Sequence, residues 1–508
     1  MDWASDRLAA DDGLVSELGD GGARVVSVTR SAAGPDPAAA ADQVDATGGV
    51  WSPGRRRLTA GLVLTITLVA FESLAIATIM PTVSDDLGGL GLYGWVFSGF
   101  FLGSLVGIVL AGQASDERGT RFPFAVGLAL FAAGLVVGGA AQSMPMLVAG
   151  RVAQGVGAGA IPAVAYAAVG RSYPPELRPR VFAVFSSAWV VPGLIGPVAA
   201  ASLAEVTSWR AVFLALLPLV GLAAAMAIPA LGAHDLDDEP AGDGTDGTDG
   251  AGVTPTIDPR IGAVVLVAGV ALVLGGLGAG SPLVGAPLVI GGAVPAVWAF
   301  LRLVPAGTAR LVSGMPAAVA VRGILTFAFF GTDAYISLAV TDARDQSTWL
   351  AGAALTVGTL TRTTGTWVQA RLVGRRGPRW LVEAGFVCLV VATMGMLLVL
   401  RPAVPAALIL VVWGLGGWSM GISYSSLSLT VLALAEPGHE GTASAALQLS
   451  DVLGVSLGTG LVGVFVALGD ARGWATGSSL TLGFTLTLAV AIGGLLAARR
   501  LPECLPSD

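Results

Sequence analysis

Fourteen apolar stretches, each on the order of 20 residues, fill this chain between residues 58 and 498. A helix of that length crosses the roughly 30 Å of hydrocarbon in a bilayer. Only 12% of the 508 residues are charged, about half the share usual in a soluble protein. The sequence therefore predicts an all-α polytopic membrane protein.

The expected spans are 58–80, 92–112, 122–141, 144–168, 181–203 and 209–231, then 261–280 and 283–303, then 316–341, 349–372, 380–400, 404–433, 441–468 and 478–498. This divides the chain into a disordered tail (1–57), a six-helix half (58–231), a flexible acidic linker (232–260), two inserted helices (261–303), a second six-helix half (304–499) and a short tail (500–508).

The chain has no lysine, so its 27 basic residues are all arginines. With the N-terminus inside, Arg55, Arg56, Arg57, Arg118, Arg121, Arg171, Arg178, Arg180, Arg371, Arg375, Arg376, Arg379, Arg499 and Arg500 fall on the cytoplasmic side. Arg210, Arg344, Arg401 and Arg472 remain opposite. The positive-inside rule then places both termini in the cytoplasm of a cell membrane.

Other chemistry is thinly represented. The linker's HDLDDE and GDGTDGTDG runs lack the bidentate glutamate and helical flanks of a calcium loop. His234 and His439 are isolated, and Cys388 and Cys504 give no sign of a structural disulfide. No catalytic constellation or glycine-rich phosphate loop stands out. The expectation is no enzyme activity, cofactor, metal or nucleic-acid partner.

An internal echo organises the spans. Gly112–Arg121 reads GQASDERGTR and Ala370–Arg379 reads ARLVGRRGPR, each after the second span of a six-span set. Likewise Thr65 precedes Glu72 by seven positions, and Thr326 precedes Asp333 by seven. Together these argue for duplicated halves.

Charges inside spans cost about 2.5–3.5 kcal/mol each on insertion scales, so each asks for a reason. Glu72 and Arg151 are expected at similar depth, roughly 10–12 Å from the outer end of their spans. A carboxylate facing an arginine there can exchange a proton, or can serve as a static packing pair. Asp333 occupies the matching depth in the second half, and Asp451 lies near mid-membrane. Arg322 and Arg362 fall nearer the cytoplasmic end, within reach of Asp451 or of lipid phosphates, and Arg322 is expected to snorkel. Pro197, beside Gly196, withholds a hydrogen bond from the Gly193 carbonyl and should bend the fifth span.

These residues resemble the major facilitator superfamily, and within it the fourteen-span drug:proton antiporters, over most of the chain. Gly112, Asp116, Gly119 and Arg121 look like the family's loop signature, with Arg118 standing one position along from a usual basic residue. Glu117 and Thr120 depart from that pattern, and Gly374 replaces the aspartate in the second copy, where Arg376, Gly377 and Arg379 remain. Arg151, Gln154, Gly155 and Gly159 resemble the fourth-span motif linked in the family to proton transfer. Pro192 to Pro197, with Gly193 and Gly196, resembles the antiporter motif, although Ala200 and Ala201 replace its following glycine pair. Glu72 and Pro81 resemble the first-span pattern, glutamate standing for the usual aspartate.

The resemblance implies two six-helix halves rocking about a central cavity, a monomer in the bilayer, and export of small drug-like compounds against protons. Glu72, Arg151, Asp333 and Asp451 are the candidates for proton coupling. Trp95, Phe97, Gln154, Trp189 and Trp413 are the candidates to line the cavity. A proton-coupled importer or facilitator, and more distantly a polytopic membrane enzyme, are the alternatives.

Overall fold

Glycine and proline punctuate this chain where its helices begin and end. The computed structural model describes residues 49–174, 177–237, 258–435 and 440–504, with side chains throughout except at positions 116, 179, 182, 183, 186, 233–237 and 440–442. The expected N-terminal tail up to 48, the linker from 238 to 257 and the last four residues lie outside the described residues.

The first helix, α1 (Arg56–Leu87), stops at Gly88, and α2 (Tyr93–Arg118) stops at Gly119; both glycines take positive φ, 64° and 74°. Next come α3 (Arg121–Gly139) and α4 (Met144–Ser172), the latter with a proline in its first turn, where no amide hydrogen is needed. The fifth span is split into α5 (Arg178–Ser187) and α6 (Val190–Val206). The sixth comprises α7 (Trp209–Leu214), whose Arg210 amide is capped by the Ser208 hydroxyl, and α8 (Leu217–Asp237). The inserted pair is α9 (Pro259–Leu277) and α10 (Pro282–Leu303).

The second half begins with α11 (Met315–Asp333) and α12 (Ile336–Thr341). It continues through α13 (Thr348–Val399), α14 (Ile409–Ala433), α15 (Glu440–Ala471) and α16 (Thr476–Ala498). The structure is thus all-helical among the described residues, as expected.

Twelve of these helical stretches are long and apolar enough to cross a membrane, not fourteen. Two features account for the difference. The stretches expected at 349–372 and 380–400 are joined in α13, where two helical runs meet at Gly377 with φ 73° and ψ 162°. The fifth stretch is interrupted at Ala188 and Trp189, leaving α6 with 17 residues.

The interruption stands ahead of Pro197, the position expected to bend, which lies inside α6. Pro192 has no amide hydrogen to give the Ala188 carbonyl, so the ladder opens at Ala188. The Gly193 amide resumes it by donating to the Trp189 carbonyl at 3.0 Å.

The inserted pair packs tightly along itself. A Cβ on Gly269 would lie 2.6 Å from the Gly292 carbonyl oxygen, and one on Gly276 would lie 2.8 Å from that of Gly285. Its outer face is apolar and exposed at Leu283, Ile290, Val294 and Val297, as lipid contact requires. Its inner face meets the main bundle, with Leu274 against Gly460 and Gly275 against Trp95.

The two halves touch in the arginine-poor part of the bundle. Ser98 Oγ on α2 donates to the Ser456 carbonyl on α15 at 3.2 Å and lies 3.3 Å from Thr459 Oγ1. On the other flank Gly193 leaves room for Thr359, and a Cβ on Gly352 would lie 3.3 Å from the Pro197 carbonyl. Without an oil–water driving force between helices, such close approaches of small residues hold the bundle together.

Candidate functional site

Glu72 projects from the middle of α1 and Arg151 from the first turns of α4, and they meet in the bundle interior. Their side chains are only 3% and 2% exposed. Arg151 Nη1 donates to Glu72 Oε1 and, at 2.7 Å, to Gln154 Oε1. Gln154 is available because residues three apart share a helix face. Arg151 Nε donates to the Val96 carbonyl at 3.2 Å, and its guanidinium lies 4.2 Å from the centre of the Phe100 ring. Glu72 Oε2 and Gln154 Nε2 have no hydrogen-bond partner among the described residues.

Glycine makes this arrangement possible. A Cβ on Gly155 would collide with the Phe100 carbonyl, and one on Gly159 with that of Ser104. Their absence lets α4 lie directly on α2.

The second half repeats the plan with different chemistry. Asp333, at the end of α11, accepts a hydrogen bond from Trp413 Nε1 on α14 at 2.8 Å. Arg151 opens an R-x-x-Q-G-x-x-x-G run, and Trp413 opens W-x-x-G-G-x-x-x-G. Gly417 and Gly421 pack on the carbonyls of Gly358 and Arg362, as Gly155 and Gly159 pack on those of Phe100 and Ser104. The sequence reading had both carboxylates but missed this fourth-helix echo. A charged donor stands in one copy and an aromatic donor in the other, which hides the match.

We expect Trp413→Phe to keep the stack on Phe329, whose centroid is 5.0 Å away, while leaving Asp333 Oδ1 without its donor. A loss of about 2 kcal/mol is expected for a hydrogen bond to a charged group. The thermal unfolding midpoint in detergent checks it, and an unchanged midpoint would contradict it.

Asp451 on α15 belongs to a separate cluster. Arg322 Nε donates to its Oδ1 at 2.9 Å, and Tyr424 Oη donates to its Oδ2 at 3.0 Å. Arg322 also reaches the Tyr424 carbonyl at 2.7 Å and Ser428 Oγ at 3.1 Å. Arg322 is 4% exposed, so it is an interior partner and not the expected snorkelling residue. Its face of α11 is turned toward α14 and α15, which depth alone does not reveal.

Rings connect the two carboxylate sites. Phe100 meets Phe101 at 5.4 Å, Phe101 meets Phe330 across the halves at 6.3 Å, and Phe330 meets Phe329 at 5.1 Å. Phe329 then stacks on Trp413. Nearer the arginine-poor end, Phe97 packs with Tyr93 and Tyr335 at 5.7 and 6.3 Å. Just outside the spans there, burial pushes the Asp342 carboxyl up, the Thr341 hydroxyl opposes this, and the negative charge of Asp85 adds to it.

The remaining candidates disperse. Trp95 faces the inserted pair at Gly275, 3.8 Å from a Cβ built there. Trp189 sits at the break before α6 and is 38% exposed. Gly193 lies at the seam between halves, and Gly196 lies beside Phe71 and Leu74.

The signature expected in a loop after residue 112 is helical as far as Arg118, the end of α2: Gly112 lies inside the helix with open space around it, and Gly119 takes positive φ just after it. Arg118 lies over the Phe122 ring at 5.5 Å, and Arg121 packs against Gly232. The Asp116 side chain lies outside the described residues. The departing residue Glu117 is engaged by Arg260 of α9, which also reaches Gln113. In the second copy Arg376 lies over Trp380 at 5.1 Å. There Gly377 abuts the Glu503 carbonyl, and Arg379 pairs with Glu383 and Glu503 at 3.1 and 3.0 Å.

Comparison with known proteins identifies the family and the fold. The family model described as Major Facilitator Superfamily matches residues 62–459. An uncharacterized MFS-type transporter of Mycobacterium tuberculosis is 29% identical over 496 residues, covering 93% of this chain and 68% of that protein. A probable multidrug-efflux transporter of the same organism is 26% identical, covering 86% and 94%. Among solved structures, the POT family transporter PepTSo superposes with a TM-score of 0.61 at 15% identity, covering 87% of this chain and 98% of that one. A D-xylose–proton symporter gives 0.57 at 14%, covering 88% and 98%.

Proposed function

The chain belongs to the major facilitator superfamily, and from that premise we propose that it is a proton-coupled exporter of small amphipathic, drug-like compounds. The observation that carries the reading is the buried Glu72–Arg151 pair, whose second carboxylate oxygen has no partner among the described residues. A proton arriving there removes the charge on Glu72 and releases Arg151. Differential proton binding between two facing states is what lets a gradient drive a second solute. The multidrug-efflux name of one relative supports the substrate class.

Counting the two runs of α13 separately and joining α5 to α6 gives fourteen crossings. On this reading both termini lie in the cytoplasm, beside the arginine-rich loops. The seam through Ser98, Ser456 and Thr459 is then the outer gate, and the loops at Gly119 and Gly377 are the inner hinges. Glu72 is the first proton site, and Asp333 and Asp451 are secondary ones. The protein works as a monomer.

The test is proton flux in liposomes containing a pH dye, with a panel of lipophilic cations, zwitterions and neutral compounds. Wild type should move protons only when a transported compound is present, and Glu72→Gln should lower that flux at least about tenfold. Compound movement without proton flux in either protein would sink the antiport reading and leave a facilitator.

A further inference from the structure

Three arginines lie deep in the bundle, and two are fully engaged. Arg151 is held by Glu72, Gln154 and the Val96 carbonyl. Arg322 is held by Asp451, Ser428 and the Tyr424 carbonyl. The Arg362 carbonyl accepts from Thr366 Oγ1 at 3.1 Å, but its guanidinium makes no hydrogen bond or ion pair with any of the described residues. We propose that Arg362 is the docking point for an oxyanion, a carboxylate or sulfonate, on the transported compound. The site would therefore favour anionic or zwitterionic molecules over simple lipophilic cations. The inference rests on the transport reading above and names the substrate class of the same interior site.

Arg362 does not face lipid. On α13, Leu360, Thr364, Trp367 and Arg371 are exposed, with Leu360 at 41% and Trp367 at 65%. At about 100° per residue these four, with exposed Ala370, span roughly 120°, and Arg362 points about 140° away from their centre. It lies about 20 Å along the axis from the start of α13 and about 15 Å from the end of the expected span at residue 372.

The carboxylate within electrostatic range, Asp333, is not hydrogen-bonded to Arg362. Arg362 interacts electrostatically with Asp333 and Tyr424, but Asp333 accepts from Trp413 and the Tyr424 hydroxyl serves Asp451. A guanidinium carries five donors in a planar fork, which matches an oxyanion in bidentate fashion. Leaving those donors unused inside a membrane protein calls for a functional reason.

Symmetry gives a second argument. The separation that relates Gly119 to Gly377 (377 − 119 = 258) relates Ser104 to Arg362 (362 − 104 = 258). The first half packs in the same way with a serine at this place, so the fold does not need a cation there. One turn away, Gly358 lies under Trp413, which stacks on Phe329. Trp413 and Phe329 are themselves buried, at 0% and 4% exposed, so they back this site from within the packing and do not offer a face to a ligand.

The test uses three probes on one ring system, naphthalene-2-sulfonate, 2-naphthamide and 2-naphthyl-trimethylammonium, with the full chain in nanodiscs. Equilibrium binding to wild type should favour the sulfonate over the amide by about tenfold or more, the strength of a charge-assisted pair. Arg362→Gln should erase that preference and leave the amide unchanged. Arg362→Lys, which keeps the charge without the fork, should fall between them, and it serves as the reporter if the glutamine variant does not elute as a folded monodisperse species. Equal sulfonate binding by wild type and the folded variant, or no sulfonate preference in wild type, would overturn the assignment. Proton flux is read separately in liposomes. Its absence with a bound sulfonate would count against export and not against the role of Arg362.

Discussion

Arg151→Leu is expected to be the most damaging single substitution in the interior. It leaves the Glu72 carboxylate buried with neither its cation nor its donor, and breaking a buried pair from one side typically costs about 3–5 kcal/mol. That is a large part of the roughly 5–15 kcal/mol that holds a typical fold. The Gln154 carbonyl and the Phe100 face would lose their partner as well. The variant should therefore show a sharply lowered unfolding midpoint in detergent and no compound-driven proton flux. Glu72→Gln/Arg151→Leu should regain most of the midpoint, because no unpaired charge remains, yet still carry no coupled flux. If Arg151→Leu alone matched wild type in both readouts, the pair would be neither structural nor part of coupling.

How much of this was legible in the sequence depends on the coordinate each residue type reports. Apolar run length gives position along the membrane normal, so the all-helical membrane class and the meeting of Glu72 with Arg151 could be read directly, while the number of spans could not. Run length says nothing about rotation around a helix. That is why snorkelling was preferred for Arg322 over the Asp451 pairing that is found, and why the contact of the cavity candidate Trp95 with the inserted pair could not be foreseen. Rotation could have been recovered at one place, the repeated G-x-x-x-G of α4 and α14, which fixes the packed face of both helices. The break before α6 shows a finer limit. Pro192 and Pro197 each withhold one hydrogen bond, and sequence alone does not say which carbonyl the bundle leaves open. The Arg260 contacts to Glu117 and Gln113 join segments separated by more than 140 positions, and no local pattern announces them.

The same glycine pattern yields the second large effect. Gly159→Val and Gly421→Val are each expected to abolish recovery of folded protein, although neither residue touches an ionisable group. The added Cβ would collide with a backbone carbonyl, that of Ser104 in one case and of Arg362 in the other. A side chain can rotate away from such a clash, but a helix carbonyl can move only with its helix. In lipid the two helices are held by close packing, since separating them exposes no apolar surface to water. The penalty should therefore exceed the roughly 1–3 kcal/mol usual for an overpacked soluble core. Gly170→Ala and Gly221→Ala are the controls, because nothing lies within 4 Å of a Cβ at either position. Both controls should elute as wild type on size exclusion in detergent, while the two valine variants aggregate. A valine variant that eluted and melted like wild type would mean that α4 and α2, or α14 and α13, do not approach this closely. The registration of Arg151 over Phe100, and of Trp413 on Asp333, would then lose its structural basis.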